Sequence, residues 1–403
     1  MAREIYTGKK VHITFYEYVL TYMFAVLGYM TAVFQYIPAK TFILGFLCLI
    51  YIYKNRRKIE DKKPLIWSVL SYVIIAFIHK AYYGMFDDRV YLELPLLILS
   101  GYYITKRLGW RFRYAMLEVM GILGAISLFF YFLMVFTGFV PSSMFDIMGY
   151  NNILIYNIRL NEIILQRNCG PYWEPGAWGG YLLITLLFFY DDLGRLLKTN
   201  RILFVIIIIT ILTTRSTQAY IASFMAFVLY FVKKRFQVKY LIILMILFSV
   251  SMIVYQEVPF LKEKVDDQLE LTEDWESDES LQSANRFTTT MVDIYYILKS
   301  PLIGNTNDPT IRYGDHPVIS NLYLYGRYYG SGSGITSQIA CYGIPLFMIW
   351  LFLSYKKQEY NLGRKSAFCV MIVLLALGNG EMYSNCIFYL ALPFITYKKK
   401  SCV

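Results

Sequence analysis

Long apolar runs recur from one end of this chain to the other, separated by short polar stretches, and that repetition constrains the fold more than any single motif. Crossing the roughly 30 Å hydrocarbon core of a bilayer takes about 20 apolar residues in a helix, which satisfies every backbone polar group within the segment. Twelve stretches meet or approach that length, roughly over 13–37, 39–53, 64–84, 90–105, 115–139, 178–191, 201–214, 217–232, 238–257, 334–355, 366–379 and 383–397. A soluble core cannot absorb them: 57% of the residues are hydrophobic and 17% charged. The expected fold is an all-α integral membrane protein with about twelve transmembrane helices, one polytopic domain over residues 1–403.

The formal net charge of +11 would suit a nucleic-acid partner only if the basic residues formed one face of a soluble domain. They sit instead between apolar runs, as Arg3 with Lys9 and Lys10, then KNRRKIEDKK, KRLGWRFR, RLLKTNR, KKRFQVK, KKQEYNLGRK and the closing Lys398, Lys399 and Lys400. With the N-terminus inside, alternate connections collect most of the 39 lysines and arginines on the cytoplasmic side, as the positive-inside rule requires. Both termini are then expected to be cytoplasmic, with no nucleic-acid partner, and two substantial loops, 140–177 and 259–333, fall outside. The first apolar run follows basic residues without a small-residue cleavage site and is expected to remain as a span. Six cysteines (Cys48, Cys169, Cys341, Cys369, Cys386, Cys402) form no CxxC pair, so neither a disulfide framework nor a zinc site is expected.

Polar chemistry gathers on the outer side. The stretch 166–180, QRNCGPYWEPGAWGG, is bent by glycine and proline between apolar runs, and sets Arg167, Tyr172, Trp173, Glu174 and Trp178 at the mouth of the helices. Arg215, in TTRSTQAY, has almost no loop around it, so its guanidinium is expected near the outer membrane boundary, followed by small residues that let helices pack closely. The late loop opens with EKVDDQLELTEDWESDES, a solvated acidic stretch without EF-hand spacing. NRFTTTMVDIYYILKSP, which carries Arg286, has apolar residues at helical spacing and is expected to lie on the membrane surface. The remainder, with His316 in GDHPVISNLYL, is rich in turn formers and tyrosine.

A guanidinium never deprotonates and donates paired hydrogen bonds from a planar fork, so arginines converging from several loops suit a diphosphate; each taken alone also suits snorkelling or capping. His316 is either a general base, with an ordinary pKa near neutrality, or a structural hydrogen-bonding residue. Glu174 is either a base or the partner of Arg167, and its closeness in sequence favours the partner. Asp87 and Asp88 more readily solvate or cap a turn than hold a metal, so no metal is expected. Glu93 suits pairing with an outer arginine. His12 and His79 are expected to be interfacial and uninvolved.

The order of these motifs resembles the O-antigen polymerase and O-antigen ligase superfamily of bacterial membrane glycosyltransferases. The matching pieces are RNCGPYWEPGAWGG, TTRSTQAYIASF, SANRFTTTMVDIYYILKSPLIGNTN and GDHPVISNLYL, covering the chain from about residue 160 onward. The resemblance implies a C-type glycosyltransferase-like fold in the bacterial inner membrane, with the active site facing the periplasm and no cofactor. It also implies that Arg167, Arg215 and Arg286 bind the diphosphate of an undecaprenyl-linked oligosaccharide, and that His316 stands near the acceptor hydroxyl. Here His316 is followed by Pro317, and Asn321 is displaced from the family's more common His-Asn pair.

The mechanism implied is a single displacement. An acceptor sugar hydroxyl, assisted by His316 or Glu174, attacks the anomeric carbon while the arginines stabilise charge on the leaving diphosphate. Tyr172, Trp173, Asn321 and Tyr323 are candidate sugar contacts, with packing and membrane anchoring as the other role for such aromatics. The implied activity is polymerisation of lipid-linked repeat units, with a chain-length regulator and a flippase as companions. The alternatives are a ligase that transfers glycan to lipid A-core and a lipid-linked oligosaccharide flippase. The flippase would call for inverted repeats and midplane charges that the sequence lacks.

Overall fold

The computed structural model of the protein describes residues 11–27, 39–54, 61–86, 89–138, 145–147, 150–152, 155–159, 166–233, 286–314, 319, 334–378 and 387–397. Most of the apolar stretches within them are helical, although the expected last span, 383–397, is helical only over Ile387–Ala391 among its described residues. In the first half these are α1 (Phe15–Val26), α2 (Ala39–Lys54), α3 (Lys62–Tyr83), α4 (Leu94–Leu108) and α5 (Phe112–Thr137). Then follow α6 (Pro175–Leu187), α7 (Leu193–Thr199), α8 (Arg201–Thr213) and α9 (Thr217–Lys233). The late half holds α10 (Arg286–Lys299), α11 (Pro309–Tyr313), α12 (Gly334–Tyr342), α13 (Ile344–Leu362), α14 (Arg364–Gly378) and α15 (Ile387–Ala391). The expected span at 238–257 lies outside the described residues.

Among the described residues two helices, α3 and the run Val90–Thr137, are long and apolar enough to cross a membrane; the 3-10 turn Gly109–Arg111 divides that run into α4 and α5. α7 and α8, bent 112° from each other, make a third if taken together. Membrane association follows from these helices and from their outward faces. Ile66, Leu70, Ile74 and Phe77 of α3 are exposed at helical spacing, as are Ile202, Val205, Ile209 and Leu212 of α8.

Several expectations are corrected. The span expected over 178–191 begins at Pro175, which is pre-organised for a first helical turn, so the second half of the 166–180 stretch is helix rather than loop. The span expected over 334–355 is broken at Gly343, where the chain restarts with Pro345 in the first turn. Helix is also not the whole of the fold: β1 (Phe145–Ile147), β2 (Tyr150–Asn152) and β3 (Asn157–Arg159) form an antiparallel meander in the expected first outer loop.

Two helices form the centre. α4 is buried along most of its length and packs against α1, α2, α3 and α15, with Gly101 admitting Ala391. All thirteen residues of α6 are buried, among α5, α8, α9 and α14. Small residues make this possible, because backbones approach only where side chains are short. A Cβ on Gly179 of α6 would stand 2.6 Å from that of Ala219 on α9, and one on Gly124 of α5 would stand 3.1 Å from Thr210 Oγ1 on α8.

At one end of the bundle, charged groups tie the segments together. A capping box of Thr14 and Glu17 starts α1, and Glu17 also takes Arg111. Arg113 pairs with Asp192 at 3.0 Å, its guanidinium lying over Tyr114 and Phe189. Asp191 takes Lys233 and Ser366, and Asp61 takes Lys106 and Lys357. Through the short segments 106–113 and 191–192 these pairs form one continuous polar end. They join stretches that the charge pattern assigns to one side.

Asp61 stands at the N-cap of α3 with no capping bond, because its carboxylate is turned to the two lysines. Burial would raise its pKa, but Lys106 and Lys357 prevail and hold it below the usual carboxylate range. A depressed carboxylate contributes stability that is present above its unfolded value of about 3.9 and is lost as pH falls through the lower folded value. Asp61→Asn is therefore expected to lower the thermal midpoint at pH 7 and to narrow its gap to the wild type below about pH 4. A gap constant from pH 7 to pH 3 would contradict the assignment. Gly179→Val is expected to cost about 1–3 kcal/mol by overpacking the contact of α6 with α9. Gly194→Ala, with open space around it, should leave the midpoint within about 0.5 kcal/mol.

Candidate functional site

The stretch that opens toward α6 is held from below by Asn168. Its side chain is fully buried and donates to Ser127 Oγ on α5 (3.3 Å) and Thr213 Oγ1 on α8 (3.0 Å), and its Oδ1 accepts from the Gly170 backbone (2.9 Å). Its own backbone N–H donates to Thr213 O at 3.1 Å. One amide thus fixes the 166–174 segment to two helices. A second tie comes from Tyr172, whose hydroxyl donates to Ala25 O of α1 at 3.1 Å.

Glu174 is the N-cap of α6, yet its backbone is extended and its carboxylate makes no capping bond. Its direction is legible from Gly176. A Cβ placed there would lie 3.1 Å from Glu174 Oε1, 3.3 Å from Ser216 Oγ and 3.6 Å from Gln218 Oε1. The first turn of α6 therefore meets the first turn of α9, where Ser216 Oγ accepts from the Ala219 N–H at 3.4 Å. Gln218 Nε2 donates to Leu377 O at 2.6 Å, which ties this corner to α14. The N-terminal turns of two helices, with their positive dipole ends, meet at this corner, where the Glu174 carboxylate stands.

Two of the three arginines expected to act together come to this corner. Arg215 follows α8 in a left-handed conformation (φ 48°) that a bulky side chain rarely adopts, and it is exposed. Arg167 follows Gln166, also left-handed (φ 49°), and is half-buried. Both guanidinium groups lie within electrostatic reach of the Tyr220 phenol on α9, whose hydroxyl donates to Leu212 O. The third, Arg286, is the first residue of α10, and its side chain is outside the described residues. His316, Asn321, Tyr323, Asp87 and Asp88 also lie outside them.

The two aromatic candidates differ in position. Trp173 is half-buried beside Tyr172, with ring centroids 6.3 Å apart. Tyr172 is fully buried; one side of its ring stacks on Trp178 and Tyr181 packs at 4.4 Å, so it presents no open face to a sugar.

The late segment is a small packed body of its own. Arg312 on α11 is buried and pairs with Asp293 of α10, whose other oxygen accepts from Thr336 Oγ1 of α12 at 2.7 Å. Asn305 Nδ2 donates to Tyr296 O (2.7 Å) and Ala340 O (3.1 Å), fastening the SPLIGN turn between α10 and α12. Gly304 adopts φ 73° there because a Cβ would fall 2.2 Å from Cys341 O. His79 is the clearest correction: expected at the interface and uninvolved, it is fully buried on α3, with Nε2 2.7 Å from Ile303 O. Tyr83 donates to Gly304 O at 2.7 Å, so the end of α3 grips this turn twice.

Sequence reasoning missed Asn168, Ser216, Gln218, Tyr220 and the Asp293–Arg312 pair. Asp293 carried a signal, as the only acid in α10. The others carried none, since their partners come from distant stretches. Among the described residues no three His, Cys, Asp or Glu side chains gather as a metal site, and the buried Cys48, Cys169, Cys341 and Cys369 form no disulfide. No protein-family model and no curated protein matches the chain.

Asn168→Leu leaves buried partners without their hydrogen bonds and is expected to cost about 1–3 kcal/mol in thermal unfolding of the purified protein. Arg215→Ala, at an exposed position, should stay within about 0.5 kcal/mol of wild type. Equal midpoints for the two variants would contradict the division between a buried anchor and an exposed side chain.

Proposed function

We propose that the protein polymerises lipid-linked oligosaccharide repeat units, transferring the glycan from undecaprenyl diphosphate to an acceptor sugar hydroxyl at the outer face of the bacterial inner membrane. The observation that carries this reading is the meeting of the N-termini of α6 and α9 with Arg167 and Arg215 around Tyr220. Fixed guanidinium charge and two positive helix ends suit a diphosphate leaving group, whose developing charge they stabilise without reorganisation. The resemblance of RNCGPYWEPGAWGG and TTRSTQAYIASF to the polymerase and ligase superfamily supplies the substrate class. Arg286 would add the third guanidinium and His316 would stand at the acceptor. Glu174, beside Ser216 and Gln218, is available as a proton acceptor or as a fixed negative charge that orients the arginines.

The chain is proposed to cross the membrane twelve times, with both termini cytoplasmic. The polar end formed by Glu17, Asp61, Lys106, Arg113, Asp191 and Lys233 supports that orientation, since it unites segments that the positive-inside rule puts together. α6 and α8 have thirteen residues each, about 20 Å of helix against a core of roughly 30 Å.

Chain-length analysis of surface polysaccharide in a strain carrying Arg215→Ala is expected to show loss of the ladder, with polymerisation reduced about 10²–10³-fold, and Arg215→Lys should not restore it because the paired donors are gone. Undecaprenyl-linked single repeats should accumulate on the outer face, which excludes flipping as the lost step. Intact single repeats joined normally to each other but absent from lipid A-core would favour the ligase reading, and an unchanged ladder would sink both.

A further inference from the structure

The connection from α8 to α9 consists of Thr214, Arg215 and Ser216, with neither glycine nor proline to shape it, and Arg215 stands in its middle at φ 48°. A left-handed conformation costs free energy for a residue with a long side chain, so contacts around it must offset the strain. On the α9 side, the Ser216 N–H donates to Thr214 Oγ1 at 3.3 Å and Ser216 O accepts the Tyr220 N–H at 3.0 Å. On the α8 side, Leu212 O accepts the Arg215 N–H at 3.4 Å, a long bond that holds the turn weakly by itself. The Tyr220 hydroxyl, from the first turn of α9, donates to that same carbonyl oxygen. Its ring is 37% exposed, so Tyr220 is not a core residue of the bundle. The phenol therefore spans from α9 back to the end of α8 and closes the turn that carries Arg215.

We propose that Tyr220 is a positioning residue for the transfer reaction: through Leu212 O its hydroxyl fixes the left-handed turn at Arg215, and so the direction from which that guanidinium meets the leaving diphosphate. This role presupposes that Arg215 binds the diphosphate, as proposed above, and Tyr220 acts through Arg215 rather than on the substrate. A guanidinium stabilises developing charge when its paired donors are already aimed at the oxygens, and a misplacement of about 1 Å costs on the order of 10²-fold in rate. Arginine has a long side chain with many rotamers, so the backbone from which it leaves is the part of its aim that the fold sets in advance.

The test is a double-mutant cycle on the purified full chain, with lipid-linked repeat units extracted from a strain that lacks the protein as substrate. Tyr220→Phe keeps the ring and removes only the hydroxyl. It is expected to lower the turnover rate about tenfold while the thermal midpoint stays within about 4 °C of wild type. In an Arg215→Ala background, where no guanidinium remains to be aimed, the same change should cost less than about twofold. A tyrosine that merely supports the fold would cost the same factor in both backgrounds, and that result overturns the proposal. So does an undiminished rate in Tyr220→Phe, or a rate that falls together with a larger loss of midpoint. If Arg215→Ala abolishes transfer while Tyr220→Phe transfers normally, the diphosphate reading stands and the positioning role fails. If Arg215→Ala itself transfers normally, both fail.

Discussion

The whole burial of α6 is the constraint on which the rest depends. A helix with no exposed residue needs neighbours on every side; α5, α8, α9 and α14 supply them, and Gly179 against Ala219 lets α9 come close. The chain must also deliver α6 into that position from a polar segment. Asn168 does this with a single buried amide that satisfies groups on α5, on α8 and in its own turn. Such a network in a low-dielectric surround is specific, since leaving any member unpaired costs more than the bond returns in water.

The consequence is an electrostatic one. Because α6 and α9 begin side by side, their two positive dipole ends point to the same corner, and the segments before them carry Arg167 and Arg215. Glu174, Ser216 and Gln218 crowd around the bare Gly176, so side-chain oxygens from both helix starts line this corner. At the other end of the same helices the charges are paired with one another, through Arg113 with Asp192 and Lys233 with Asp191. One end is internally neutralised and structural, and the other carries its guanidinium groups beside helix N-termini.

The late segment has its own logic. α10, the SPLIGN turn, α11 and α12 are locked by the Asp293–Arg312 pair and by Asn305, and the body is fastened to α3 through His79 and Tyr83. A buried ion pair gives little net stability, but it fixes one arrangement, since separating the charges inside is costly. Here it fixes the start of the stretch that continues to His316.

The sequence by itself determined that the chain is largely helical and which described stretches share an end of the bundle, and it singled out Arg167, Glu174 and Arg215 as candidates. Hydrophobic length, charge alternation and turn chemistry are local properties, and they read directly from the residues. It did not determine that Pro175–Gly180 is helix, that Tyr172 packs in the core, or that His79 holds a distant carbonyl. Nor did it reveal that Ser216 and Gln218 stand beside Glu174, or that Asn168 anchors the stretch. Only the tertiary structure decided those, because each depends on which helix lies against which. That choice is made by the summed close packing of small residues over many contacts, none of which leaves a mark at a single position.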